Sequence, residues 1–133
     1  FREKLVKRAK IIAVGPNTPL WKELLVHAFA YIHSDLSGKA PPVILSALGA
    51  GACVLAEDNP YAREVLAEGA YGLFWTPSPA SLCACIRKLE RDPPLAARLR
   101  GLARRRIQER YSWDHVTEEY ERLFLQVSAP PQG

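Results

Sequence analysis

The chain has 133 residues, 48% of them hydrophobic, and a formal net charge of +4. That suffices for one domain with a core and is too little for two. No run approaches the ~18 uninterrupted apolar residues a membrane-spanning helix needs, and Phe1-Arg2-Glu3-Lys4 opens an amphipathic segment rather than the apolar core of a secretory leader.

In chain order, residues 1–10 read as the end of a helix, with Lys and Arg gathered where the dipole favours them. Residues 11–14 read as a buried strand stopped by Gly15-Pro16. Thr18 caps a helix with Pro19 at its first position and Leu20, Leu24, Leu25 and Ala28 on its inner face. Residues 28–33 form a second strand, and a loop over 34–41 leads to a helix from Pro42 to Gly51 with Val43, Leu45, Ala47 and Leu48 inward. Residues 53–56 make a third strand. Asn59-Pro60 opens a helix buried through Ala62, Val65 and Leu66, and residues 71–75 make a fourth strand. Ser78-Pro79, Asp92-Pro93 and Ser112 start the remaining helices, with Asp114 and His115 as first-turn residues of the last. The alternation predicts an α/β domain over residues 1–127, a partial Rossmann-like parallel sheet of about four strands followed by extra helices. Residues 128–133 read as a flexible tail. With no methionine anywhere, initiator removal and origin from a longer protein both account for the start, and the second is expected. A sheet that lacks its first strands exposes an edge, which a leading helix or a second copy of the chain would cover.

Cys53, Cys83 and Cys85 are an odd number with no disulfide or zinc spacing, so buried free thiols in a reducing compartment are expected and a metal site is not. Arg98, Arg100, Arg104, Arg105, Arg106 and Arg110 crowd one helix. A 3.6-residue period turns most of them away from Leu95, Leu99 and Leu102, which favours a solvated face. An anionic membrane surface is the alternative, and nucleic acid is not expected without aromatic interleaving or a motif.

The loop Ser37-Gly38-Lys39-Ala40 lies between a strand and a helix start. Glycine there lets a ligand approach the backbone, free N–H groups favour phosphate, and Lys39 adds a charge. Alone, this pattern is common to many such loops.

The wider window is more specific. Tyr31-Ile32-His33, Gly38, Pro42, Ala47, Gly49-Ala50-Gly51, Ala56, Asp58-Asn59-Pro60, Arg63-Glu64-Val65-Leu66 and Gly72-Leu73 stand in one register, followed by Asp92-Pro93 and Arg110-Tyr111-Ser112-Trp113. On these residues the chain from 11 to 127 resembles the C-terminal, nucleotide-sugar-binding half of GT-B-fold retaining glycosyltransferases, nearest the rhamnosyltransferase-like branch. The resemblance implies transfer of a sugar from a dTDP-, UDP- or GDP-sugar substrate to a saccharide or lipid-linked acceptor in polysaccharide biosynthesis. It implies no metal and no separate cofactor. It further implies a cytoplasmic protein, while contact of the 98–110 helix with the inner membrane face is an expectation from its charge alone.

The resemblance places the donor beside His33, Gly38, Lys39, Ala40, Ser46, Arg63 and Glu64, and it assigns no catalytic residue. Three positions depart from the family. Its ribose-binding glutamate is Ser46 here, and its Thr-Asn before the proline is Ala40-Pro41. A carboxylate accepts two bonds from a vicinal diol, each worth about 1.5–3 kcal/mol, so donor affinity should fall on the order of a hundredfold. The Arg and Lys that the family sets near the diphosphate precede residue 11, and its acceptor domain is separate. Two readings stand: a glycosyltransferase donor half, inactive alone, or a degenerate non-catalytic scaffold that assembles through its sheet edge. A structural ion pair or helix cap at Arg63-Glu64 weighs equally with a sugar contact, and His33 is either a ligand contact or a backbone-bonded strand end.

Overall fold

A computed structural model describes residues 12–15, 18–34 and 42–128. The chain runs α1 (Pro19–His27), β1 (Tyr31–His33), α2 (Val43–Gly49), β2 (Val54–Glu57), α3 (Pro60–Val65), a 3-10 turn (Ala67–Gly69), β3 (Gly72–Trp75), α4 (Pro79–Arg91), α5 (Pro93–Arg110) and α6 (Trp113–Ser128). Four helices start alike, with a capping side chain followed by proline. Thr18 Oγ1 accepts from Trp21 N at 3.3 Å, Asn59 Oδ1 from Ala62 N at 2.8 Å, Ser78 Oγ from Ser81 N at 3.1 Å and Asp92 Oδ1 from Leu95 N at 2.9 Å. Each cap satisfies a helix N–H, and the proline sits where no N–H is needed.

The three strands form a parallel sheet ordered β1-β2-β3, with Tyr31 opposite Val54 and Val54 opposite Gly72. β2 is the central strand and is buried on both faces, so it reads as a continuous apolar run. Its side chains alternate. Val54 and Ala56 join Leu25, Ile44, Leu48, Val65, Leu66 and Ala103 on one face, while Leu55 joins Cys53, Leu89, Ala96 and Leu99 on the other. Helix α5 serves both clusters, through Ala96 and Leu99 on one side and Ala103 on the other. The result is an α/β layer structure with helices on both faces, as a partial Rossmann-like fold requires.

α2 ends in a Schellman turn. Ala52 N donates to Ala47 O at 3.0 Å and Gly51 N to Leu48 O at 2.9 Å, and Gly51 takes φ +78°, a conformation that favours glycine.

Several expectations need correction. Of four expected strands, three form; Ile12–Val14 pairs with nothing among the described residues. The strand expected from Ala28 starts at Tyr31, because Ala28 closes α1 by donating to Leu24 O. Only Leu25 of the expected inner face of α1 is buried; Leu20 and Leu24 are 50% and 41% exposed, since only one edge of this short helix meets the core. Val43 and Leu45 are half-buried, and Ile44 takes the deep position. Cys83 is exposed on the outer side of α4, whereas Cys53 is buried and Cys85 donates to Phe74 O at 3.2 Å. Burial pushes both of these thiols up from the ordinary value, so they stay protonated as packing groups. The leading helix expected over residues 1–10 lies outside the described residues.

The arginine-rich helix is more than a solvated face. Arg100 Nη2 donates to the carbonyls of Ala28 and Phe29, just past α1. Arg104 Nη2 lies 3.5 Å from Ala50 O at the end of α2, and Arg106 donates to Glu64 O and Val65 O, at 2.7 and 2.9 Å, at the end of α3. In a parallel α/β unit each helix runs back against its strands, so all three helix ends gather at the strands' N-terminal edge. Carbonyls there lack intrahelical donors and carry negative partial charge. α5 crosses that edge and satisfies them. Its other arginines, Arg98, Arg105 and Arg110, are exposed.

Candidate functional site

The strands' carboxyl ends form the opposite edge, where open parallel sheets bind ligands. β1 ends at His33, β2 at Glu57 and β3 at Trp75. Ser34 Oγ donates to Glu57 Oε2 at 2.9 Å, and Asp58 N donates to Trp75 O at 2.9 Å, so the three strand ends are tied into one rim. The β1–α2 connection leaves this rim after Ser34 and returns at Pro42. Gly38, Lys39 and Ala40, with Pro41, lie outside the described residues.

His33 is 6% exposed. Its Nδ1 is 3.3 Å from the Tyr31 hydroxyl, and the two rings stack with centroids 6.1 Å apart. Burial raises the Tyr31 phenol above its ordinary value, which keeps that hydroxyl protonated and able to donate. The hydroxyl and Nδ1 are within hydrogen-bond reach, with the direction of the bond set by the imidazole tautomer. Tyr31 thereby fixes the ring at the end of an edge strand. Sequence reasoning missed this pairing, although alternate residues of one strand always share a face.

Arg63 is held on three sides. Its Nε and Nη2 donate to Asp58 Oδ1 and Oδ2 at 2.6 and 2.7 Å, its Nη1 donates to Glu68 Oε2 at 2.9 Å, and the guanidinium lies 5.3 Å from the Phe74 ring centroid. The fork-to-fork contact with Asp58 holds that carboxyl below its ordinary range. Asp58 and Arg63 flank the Asn59-Pro60 helix start, five residues apart, and that spacing was the available signal. Glu68 approaches from a strained turn in which Ala67 and Glu68 have φ of 46° and 52°.

Ser46 turns toward its own helix, donating from Oγ to Pro42 O at 3.2 Å. It also lines a cavity of about 380 Å³ with Trp21, Lys22, Leu25 and Arg104, between α1 and α2. Glu64 lines a different groove, of about 590 Å³, with Arg110, Tyr111 and α6. Among the described residues, Ser46 and Glu64 thus line different hollows. His33 stands at the carboxyl rim, Arg63 sits in an ion-pair triad just behind it, and Ser46 and Glu64 face two separate hollows.

Chemically, the described rim offers two carboxylates, at Glu57 and Asp58, a histidine and a hydroxyl. Its one guanidinium, Arg63, already serves two carboxylates. Among the described residues no three His, Cys, Asp or Glu side chains converge as a metal site, and no helix is long and apolar enough to cross a membrane.

A parallel sheet covered by helices on both faces, with polar groups gathered at its carboxyl rim, defines a Rossmann-like domain. The family model described as glycosyl transferase-like matches residues 6–122, and the chain belongs to that family. It is also 26% identical over 104 residues to glycosyltransferase 1 domain-containing protein 1 of Xenopus tropicalis. That match covers 78% of this chain and 30% of the relative's length, so the chain spans under a third of the protein it resembles.

Proposed function

We propose that this domain is the donor-binding half of a glycosyltransferase, taking a nucleotide sugar such as a dTDP-, UDP- or GDP-sugar at the carboxyl rim of β1, β2 and β3. The observation that carries the reading is the rim itself: His33, Ser34, Glu57 and Asp58 surround the point where the chain leaves β1 for the Gly38-Lys39 loop. Transfer of the kind catalysed by rhamnosyltransferases, from that donor to a saccharide or lipid-linked acceptor, completes the proposal. This chain alone binds donor weakly and does not transfer it. A leaving diphosphate needs fixed positive charge, and Arg63 is already bound to Asp58 and Glu68.

A second reading, a degenerate domain kept for assembly, is favoured by Ser46. Its hydroxyl is spent on Pro42 O, where the family's carboxylate would face a ribose.

Titration with dTDP, UDP and GDP, followed by amide shifts in NMR, separates the two. Saturable shifts at His33, Ser34 and residues 37–47 support the donor site. No shift at millimolar nucleotide leaves the scaffold reading.

A further inference from the structure

Arg63 is held unequally by its two carboxylates. Asp58 takes one edge of the guanidinium with both oxygens, from Nε at 2.6 Å and from Nη2 at 2.7 Å. Glu68 holds it at a single point, Oε2 accepting from Nη1 at 2.9 Å. A guanidinium carries five N–H donors, and its two terminal nitrogens form a second fork that matches two oxygens of a phosphate. Glu68 fills that fork with one oxygen only. Its side chain is 70% exposed, against 28% for that of Asp58. Water competes for so open a contact, and exposed pairs of this kind are weak.

The turn that presents Glu68 is strained but does not depend on the ion pair. Ala67, Glu68 and Gly69 have φ of 46°, 52° and 98°, and the first two occupy a region that L-residues avoid. Gly69 N and Tyr71 N donate to Leu66 O, and Ala70 N donates to Ala67 O, each at 3.1 Å. Departure of the Glu68 side chain would therefore break no backbone bond. Strain at non-glycine residues concentrates where the side chain is put to use, and here that side chain is a carboxylate resting on a guanidinium.

The rest of the socket is fixed. Phe74, in β3, lies under the guanidinium with its ring centroid 5.3 Å away. Asp58 is tied to the carboxyl rim, its N–H donating to Trp75 O at 2.9 Å. Glu64, next to Arg63, lines the groove beside α6 instead. Resting on the donor reading above, we propose that Glu68 is the internal occupant of a phosphate socket: it covers the end of Arg63 that the diphosphate of a nucleotide sugar takes, and it swings into water when that ligand arrives. Asp58 and Phe74 hold the guanidinium throughout. A diphosphate offers paired oxygens and more charge than one carboxylate, so it wins the exchange. Because Asp58 still balances Arg63, the socket holds by the direction of its N–H groups more than by net charge, and its affinity is low.

Calorimetry with UDP and with inorganic pyrophosphate on the 133-residue chain tests this. Glu68→Gln removes the competing charge and should tighten both ligands about fivefold, the bias that an exposed ion pair imposes. In an Arg63→Gln background the same change should do nothing. In the wild-type chain the carboxyl carbon of Glu68 should move in NMR on saturation with pyrophosphate, while that of Asp58 stays. The two ligands separate the socket from the donor reading. Pyrophosphate binding sharpened by Glu68→Gln, with no UDP shift at His33 or Ser34, would keep the socket and remove the nucleotide. UDP shifts at the rim with equal affinities for wild type and Glu68→Gln would overturn the socket and keep the donor reading. A gain that survives Arg63→Gln, a Glu68 carboxyl that stays still under saturating pyrophosphate, or no pyrophosphate binding by Glu68→Gln at millimolar concentration would each overturn the socket as well.

Discussion

Arg106 Nε donates to the carbonyl of Val65 at 2.9 Å across 41 residues of sequence, and its Nη2 reaches Glu64 O at 2.7 Å. The guanidinium lies between the rings of Tyr71 and Tyr111, at 5.3 and 5.4 Å from their centroids. One side chain thus closes the C-terminus of α3, fastens α5 to it and fills the space between two aromatic rings.

Replacing Arg106 by Met keeps the aliphatic stem and removes the donors. Charge-assisted hydrogen bonds are worth about 1.5–3 kcal/mol each, and partial access of water to the freed carbonyls offsets some of that. The expected loss is about 2 kcal/mol in urea unfolding. Arg106→Lys should recover less than half of it, because an ammonium can neither bridge two carbonyls in one plane nor stack between the rings.

Gly72 stands opposite Val54 where β3 meets β2. A Cβ there would lie 2.7 Å from Val54 O and 2.8 Å from Leu66 Cδ1. The first of these is backbone and cannot swing aside, so Gly72→Ala should cost at least the ~1–3 kcal/mol typical of overpacking. Gly101 is the internal control. It is exposed in the middle of α5, and a methyl group there would meet nothing within 4 Å, so Gly101→Ala should stabilise by about 0.5–1 kcal/mol. Thermal melts of the two variants should therefore move in opposite directions.

The Asp58–Arg63 pair makes a prediction about acid. The hydrogen bond from Arg63 lowers the Asp58 carboxyl below its ordinary value of 3.8. A carboxyl depressed on folding contributes stability that is fully present above its unfolded value and fades as pH falls through the folded one. The melting temperature of the wild type should exceed that of Asp58→Asn at neutral pH, and the gap should close below about pH 4. A gap that is constant down to about pH 2 would show that the carboxylate's charge contributes nothing.

Local signals explain which parts of this fold were readable. Cap-proline pairs at Thr18, Asn59, Ser78 and Asp92 mark helix starts within the sequence itself, as does Gly51 at a helix end. β2 reads as a central strand because burial on both faces leaves it no polar residue before Glu57. The role of the arginines was not readable. Arg100, Arg104 and Arg106 look like a solvated face by periodicity, and their acceptors are carbonyls 41 to 72 residues away. A carbonyl is present at every residue, so composition cannot mark which ones are left open. Arg63 differs, because its partners Asp58 and Glu68 are carboxylates only five residues away on either side, a local signal the sequence did carry. The family resemblance pointed to the rim at His33, but it carried no warning that Ser46 and Glu64 face separate hollows.

Ser46→Glu is the most direct probe of the donor proposal. Ser46 now bonds to Pro42 O, a contact worth little to an α-helix, and it is half-buried beside the cavity shared with Lys22 and Arg104. A glutamate is too long for that back-bond. Its carboxylate would extend into the cavity, where two cations would favour its ionised form. If a ribose lies within reach, two charge-assisted bonds at about 1.5 kcal/mol each would tighten nucleotide binding about a hundredfold. Calorimetry with UDP, GDP and dTDP measures this directly, with Ser46→Gln separating charge from reach. Tighter binding by Glu and little by Gln supports a donor site that lost its carboxylate. Unchanged affinity in both variants would place the ribose away from residue 46 and leave the donor reading resting on the rim at His33, Ser34, Glu57 and Asp58 alone.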